Sequence, residues 1–187
     1  MRYALPCEAC LLNCGGDPRV EVERQFADDG LEPIVRGGRA MPAFLCFNRK
    51  GLETLLPHRG AALRKIDGVF YHSGAPDMLI GLKGIRMDDP DLEGHFPHAP
   101  TYPGYAQDEF VCLVAAALIP IARERLKTHP HVVQKIVRYK KNVVPGDQLI
   151  AEVRLSGIRG KFYLFTAEIR NQRQELVAEY EKIVGAV

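Results

Sequence analysis

Residues 110–122 read FVCLVAAALIPIA, thirteen positions without a charge. A surface helix shows polar residues every third or fourth place, but this one is apolar on nearly every face and must be surrounded. Thirteen residues suit a buried helix better than a bilayer span, which needs about twenty. Pro120 lies inside the run, so the helix kinks there or ends and restarts.

Strand-like segments supply the surroundings. "LRKIDGVFYHS" (63–73) and "MLIGLKGIRM" (78–87) are separated by the turn signal "GAPD". After the helix come "HVVQKIVRYKK" (131–141), the turn "NVVPGD", then "QLIAEVRLSGI", "KFYLFTAEIRN" and "ELVAEYEKIVGAV" as an antiparallel meander. "RKGLETLL" (49–56) predicts a short helix stopped by Pro57. A curved antiparallel β-sheet wrapped around a central apolar helix satisfies this order, giving an α+β domain. The domain spans 49–187. Residues 1–48 form an N-terminal extension of unassigned role, with one strand-like run, "MPAFLCFN".

The chain of 187 residues is 47% hydrophobic with a formal charge of +2, enough for one sizeable core. Mixed charge of this kind gives no argument for nucleic acid or an anionic membrane surface. The N-terminus "MRYALPCEACLLNC" is broken by Glu8 and makes a poor secretory signal, so the expected location is cytoplasmic. Five cysteines, an odd number, argue against a disulfide framework. Cys7, Cys10 and Cys14 have metal-like spacing but no nearby fourth ligand; Cys46 is the remote candidate. No metal and no cofactor is expected.

Chemistry concentrates just before the apolar helix, in EGHFPHAPTYPGYAQDEF (93–110). Pro97, Pro100 and Pro103 stiffen a loop that carries His95, a residue able to take or give a proton near neutrality. Pro103-Gly104 opens the helix, whose N-terminal N–H groups favour a developing negative charge. Glu109 is the last charge before the apolar run. Base, carboxyl and helix terminus beside one apolar cavity make a candidate proton-transfer site. A second reading of "DDPDLEGHFPH" gathers Asp88, Asp89, Asp91, His95 and His98 on a metal, although Pro90 and Pro97 break the periodicity.

Three ordered blocks carry a resemblance. "GHFPHAPTYPG" resembles the GHFP-x-x-P-x-x-PG signature of the β-hydroxyacyl-acyl-carrier-protein dehydratases, the FabZ/FabA family. "LLPHRG" and "VRYKKNVVPGDQL" are similar to that family's flanking motifs. The resemblance covers about 50–187 and implies a hotdog fold and a homodimer, often assembled into a hexamer, with active sites shared between subunits. It implies catalysis by His95 and Glu109 and substrate contacts at Gly104, Phe96 and Pro103. The implied reaction is β-elimination of water from a 3-hydroxyacyl thioester on acyl carrier protein. Glutamate at position 109 looks more like the FabZ branch.

The sequence also departs from the pattern. His98 stands for a glycine, Leu113 for the glutamine after the acid, and Asn142 for a proline, with one apparent insertion before Asp67. These suggest a divergent member serving a pathway other than bulk fatty-acid synthesis. Alternatives are a non-catalytic hotdog subunit that binds acyl chains or scaffolds a partner, and a CoA-dependent hydratase or thioesterase. Arg138, Lys140 and Lys141, with Arg159 and Lys161, offer basic surface for an acidic carrier protein, or are ordinary edge-strand cations.

Overall fold

A computed structural model describes residues 34–36, 39–41, 44–123 and 130–187. Cys7, Cys10 and Cys14 lie outside the described residues. Strands β1 (Ile34–Arg36) and β2 (Arg39–Met41) form a two-stranded ladder of their own. The main sheet has seven strands: β3 (Phe44–Asn48), β4 (Gly68–His72), β5 (Met78–Gly84), β6 (His131–Tyr139), β7 (Gln148–Arg159), β8 (Phe162–Arg170) and β9 (Leu176–Ala186). They lie in the order β3-β4-β5-β7-β8-β9-β6, every pair antiparallel. Helix α1 is Arg49–Leu55 and helix α2 is Gly104–Arg123. This is a hotdog fold, with α2 inside the sheet.

The edge strand β3 comes from residues that the sequence assigns to the extension. The 48/49 boundary falls where β3 passes into α1, and Asn48 caps that helix by accepting the Gly51 N–H at 2.9 Å. Leu56, the residue before Pro57, takes the extended conformation that ends α1. The run 63–73 is not all strand. Residues Ala62–Lys65 make one 3₁₀ turn that buries Leu63 and Ile66 and brings Lys65 round toward the 88–105 loop.

Along β7 as far as Leu155, and along β8, every second side chain is buried, among them Leu149, Ala151, Val153, Tyr163, Phe165 and Ile169. Their inward face meets α2, where Phe110, Val111, Val114, Ala117 and Leu118 are fully buried. By length and hydropathy Gly104–Ala122 matches a bilayer span, longer than its uncharged run, yet most of it is buried inside the molecule. It is the core helix of this fold. The helix also continues through Pro120, which has no N–H to give to the carbonyl one turn before it.

Gly81 sets how closely helix and sheet approach. A Cβ there would clash with Val114 Cγ2 and stand 3.1 Å from Phe110 Cε2. Gly81→Ala therefore overpacks the α2–β5 contact, and thermal unfolding should register a loss of about 1–3 kcal/mol with the sheet otherwise intact.

Candidate active site

The loop that carries His95 is held from below by buried charge. Asp89 accepts the Asp91 N–H at 3.2 Å, capping the short turn Pro90–Leu92, and its Oδ2 pairs with Lys83 Nζ of β5 at 2.8 Å. Both side chains are buried. Burial alone would raise the Asp89 carboxyl, but the bonds from Lys83 and the Asp91 N–H outweigh it and hold the group below its ordinary 3.8. Asp91 in turn receives Lys65 and the Tyr105 hydroxyl, the latter at 3.3 Å. Asp89 and Asp91 thus face lysines. Among the described residues no three His, Cys, Asp or Glu side chains converge as a metal site.

The His95 backbone is fixed at both ends: its N–H donates to Leu92 O at 3.0 Å, and its carbonyl accepts the Thr101 N–H at 2.6 Å. The ring lies 6.0 Å from Phe96 and 5.9 Å from Tyr105, centroid to centroid. His95 Nδ1 is 3.1 Å from Glu93 O. A carbonyl only accepts, so Nδ1 carries the proton, and in the neutral ring Nε2 keeps a lone pair. Phe96 is 61% exposed, whereas Pro103 is buried at the start of α2.

The third sequence block closes the site from the side. Val143 O accepts the Tyr102 N–H at 2.7 Å, and Asp147 Oδ2 accepts the Val144 N–H at 3.0 Å, locking the VVPGD turn against the loop. At the helix start, Ala106 and Gln107 both donate to Pro103 O. The Gly104 N–H has no hydrogen-bond partner among the described residues. It is one of the open donors expected at a helix N-terminus.

Glu109 is half exposed, with Lys65 Nζ 3.7 Å from its Oε2. It borders a cleft of about 240 Å³ also lined by Cys112, Leu113, Ala116, Phe165 and Ile183. His58, from the LLPHRG block, and His131 stand on the same cleft. Leu113, where the resemblance anticipates glutamine, gives that wall an apolar surface. Burial pushes the Cys112 thiol up to about 11, so it lines the cleft as a protonated thiol.

Sequence and structure agree on the neighbourhood but not on a complete pair. His95 and Glu109 lie on either side of the Asp91–Tyr105–Lys65 array, and no hydrogen bond or ion pair joins them within one chain. Lys65 and Tyr105 carry no motif signal; only the fold reveals them. The basic strand is also more balanced than its composition suggests. Arg138 pairs with Glu181, Lys140 with Glu179 at 3.4 Å, and Lys141 with Glu175 at 2.6 Å. Hydrogen bonds from Lys141, Asn171 and Arg173 hold the Glu175 carboxyl down at about 2. Arg159 and Lys161 have no acidic partner among the described residues.

A single helix inside an antiparallel sheet, with His95, Gly104 and Glu109 near the helix start, is the hotdog architecture, and comparison with known proteins gives the class, a dehydratase. Residues 78–180 match the family model described as ApeI-like, ApeI dehydratase, and the chain belongs to this family. It is 37% identical over 106 residues to the 3-hydroxyacyl-[acyl-carrier-protein] dehydratase FabZ of Thermotoga petrophila, covering 57% of this chain and 74% of that one. It is 33% identical over 135 residues to the FabZ of Anaeromyxobacter dehalogenans, covering 70% of this chain and 85% of that one. Among solved structures, the dehydratase heterocomplex ApeI:P from Xenorhabdus doucetiae superposes with a TM-score of 0.60 at 16% identity, over 72% of this chain and 89% of that one. That likeness is one of fold.

The Lys83–Asp89 pair yields a measurable consequence. Lys83→Met leaves a buried carboxylate without its counter-charge and should cost about 3 kcal/mol or more in urea unfolding near neutral pH. Asp89 has a depressed folded-state value, so its contribution is present above its ordinary 3.8 and fades as pH falls through the lower folded value. Wild type should therefore lose more stability than Asp89→Asn on acidification through that window.

Proposed function

We propose that this dehydratase removes water from 3-hydroxyacyl thioesters carried on acyl carrier protein, giving the trans-2-enoyl thioester. The observation that carries the reading is a histidine with a free ring nitrogen, an open Gly104 N–H and a carboxylate on an apolar cleft, all grouped around one helix terminus. His95 Nε2 takes the α-proton. The electrons move into the thioester, whose oxygen gains charge beside the Gly104 N–H and the positive end of α2. They return as the α,β double bond while the β-hydroxyl leaves with a proton from Glu109, so that water departs. The thioester itself acidifies the α-carbon, so the reaction uses no cofactor. Phe96 and Pro103 bound the approach to His95, and the cleft beside Glu109 accepts the acyl chain.

The site is completed by a second copy of the chain. Among the described residues, strand β6 ends the sheet with one edge unpaired, and Val132, Val133, Ile136 and Tyr139 on it are 45%, 55%, 43% and 46% exposed. An apolar edge strand of this length invites a further strand. Pairing β6 with β6 of a second copy about a twofold axis forms a homodimer in which His95 of one chain meets Glu109 of the other. Arg159 and Lys161, at the β7–β8 hairpin, are the cations left to meet an acidic carrier protein.

The test follows absorbance of the conjugated enoyl thioester from a short 3-hydroxyacyl thioester on acyl carrier protein. Wild type should turn over. His95→Ala and Glu109→Gln should each lose about 100-fold or more, the range for a positioned acid or base. A wild type inactive on acyl-carrier-protein and CoA thioesters alike contradicts the reading.

A further inference from the structure

Asp108 is the residue next to Glu109, and nothing in the reaction above uses it. It is 7% exposed. Its Oδ1 accepts the Tyr139 hydroxyl at 2.6 Å and the Tyr180 hydroxyl at 2.9 Å, and its Oδ2 receives Lys135 Nζ. Three donors, from β6 and β9, therefore meet on one carboxylate of α2. Burial, followed by the Asp108 carboxylate itself, raises both tyrosines, so both stay protonated and donate. Both carboxylate oxygens have donors: Oδ1 has two hydroxyls and Oδ2 has Lys135, as a buried acceptor requires.

Tyr139 also reaches the reacting end of the helix. A Cβ on Gly104 would lie 2.8 Å from Tyr139 Cζ and 3.0 Å from its hydroxyl oxygen. The phenol thus fills the space that a side chain at 104 would take, and Asp108 holds its hydroxyl from one turn further along the same helix. Gly104 and Asp108 of α2 clasp one ring of the edge strand. The first turn of α2 cannot slide along or turn away from β6 without breaking a charge-assisted hydrogen bond or losing the ring contact.

We propose that Asp108 and Tyr139 are positioning residues: they fix the Gly104 N–H, and with it Glu109, against strand β6. The proposal rests on the dehydratase reading for its catalytic consequence and on geometry alone for its structural half. It assigns a task to the polar residue beside the acid, and it ties the helix start to the strand that the second copy would cover.

Tyr139→Phe tests it, because it removes one oxygen from a side chain that is 46% exposed and leaves the ring in place. Asp108→Asn is the second variant, keeping shape and one acceptor oxygen. Two readings are taken on each: kcat and KM with the hydroxyacyl thioester, and amide hydrogen exchange of residues 104–110 against that of β7 and β8. The expected result is roughly a tenfold or greater loss in kcat, a KM within about twofold, and faster exchange confined to 104–110. Unchanged exchange at 104–110 overturns the proposal, as does faster exchange with unaltered kcat. A uniform rise in exchange across the sheet also overturns it, since the cluster would then be a fold-wide support. If wild type turns over no thioester, the dehydratase reading fails, and exchange at 104–110 decides the positioning claim by itself.

Discussion

Burial of α2 is the constraint from which the rest follows. A helix with Phe110, Val111, Val114, Ala117 and Leu118 at zero exposure has no solvent face to spare. The sheet must enclose it, and where β5 crosses it the backbone comes so near that position 81 has no space for a Cβ. At about 25 cal/mol per Å² of apolar surface, such enclosure is the largest favourable contribution available to a chain of this size. Enclosure also fixes where chemistry can occur. Two parts of α2 are left to meet a ligand: its N-terminus, with an open N–H at Gly104, and the cleft wall of Cys112, Leu113 and Ala116.

Around that terminus the protein spends polar groups sparingly and in pairs. Lys83 with Asp89 secures the loop beneath His95. Lys65 bridges Asp91 and Glu109. Asp108 collects Tyr139, Tyr180 and Lys135. Each buried carboxylate is matched by donors, as a low-dielectric setting requires. The exposed side of the site, with Phe96, Tyr105 and the valines and isoleucine of the β6 edge, is by contrast apolar and uncovered among the described residues. Polar satisfaction inside and open apolar surface outside fit the two-chain site proposed above.

Most of the fold was legible because its two periodicities are clean: an uncharged run for the helix, and alternation for β7 and β8. The residues 63–67 misled because Leu63 and Ile66 are apolar and buried in either conformation. The 3₁₀ turn is closed by Arg64 N–H on Ala61 O and Ile66 N–H on Leu63 O, and it carries Lys65 to Asp91, a contact far away in sequence. His95, Gly104 and Glu109 stood out from their local surroundings. Asp108 did not, since the triplet Gln107-Asp108-Glu109 reads as a solvated helix start, yet both Gln107 and Asp108 are buried. A signal was present: Asp108 shares a helix face with Val111, Ala115 and Leu118, all buried, which places it on the inner stripe. Its partners, on β6 and β9, could only be found once the sheet order was known. The pairing of Arg138, Lys140 and Lys141 with Glu181, Glu179 and Glu175 likewise shows that three clustered cations need not make a basic surface.

The central claim is that one chain holds half of each reaction centre, and subunit mixing tests it most directly. His95→Ala and Glu109→Gln proteins, each inactive alone, would be unfolded, combined in equal amounts and refolded together. A site built from His95 of one copy and Glu109 of the other leaves one intact centre in every mixed dimer, so turnover should return to about a quarter of wild type. Mixed dimers that form, as native mass measurement would verify, but recover no activity would contradict the account.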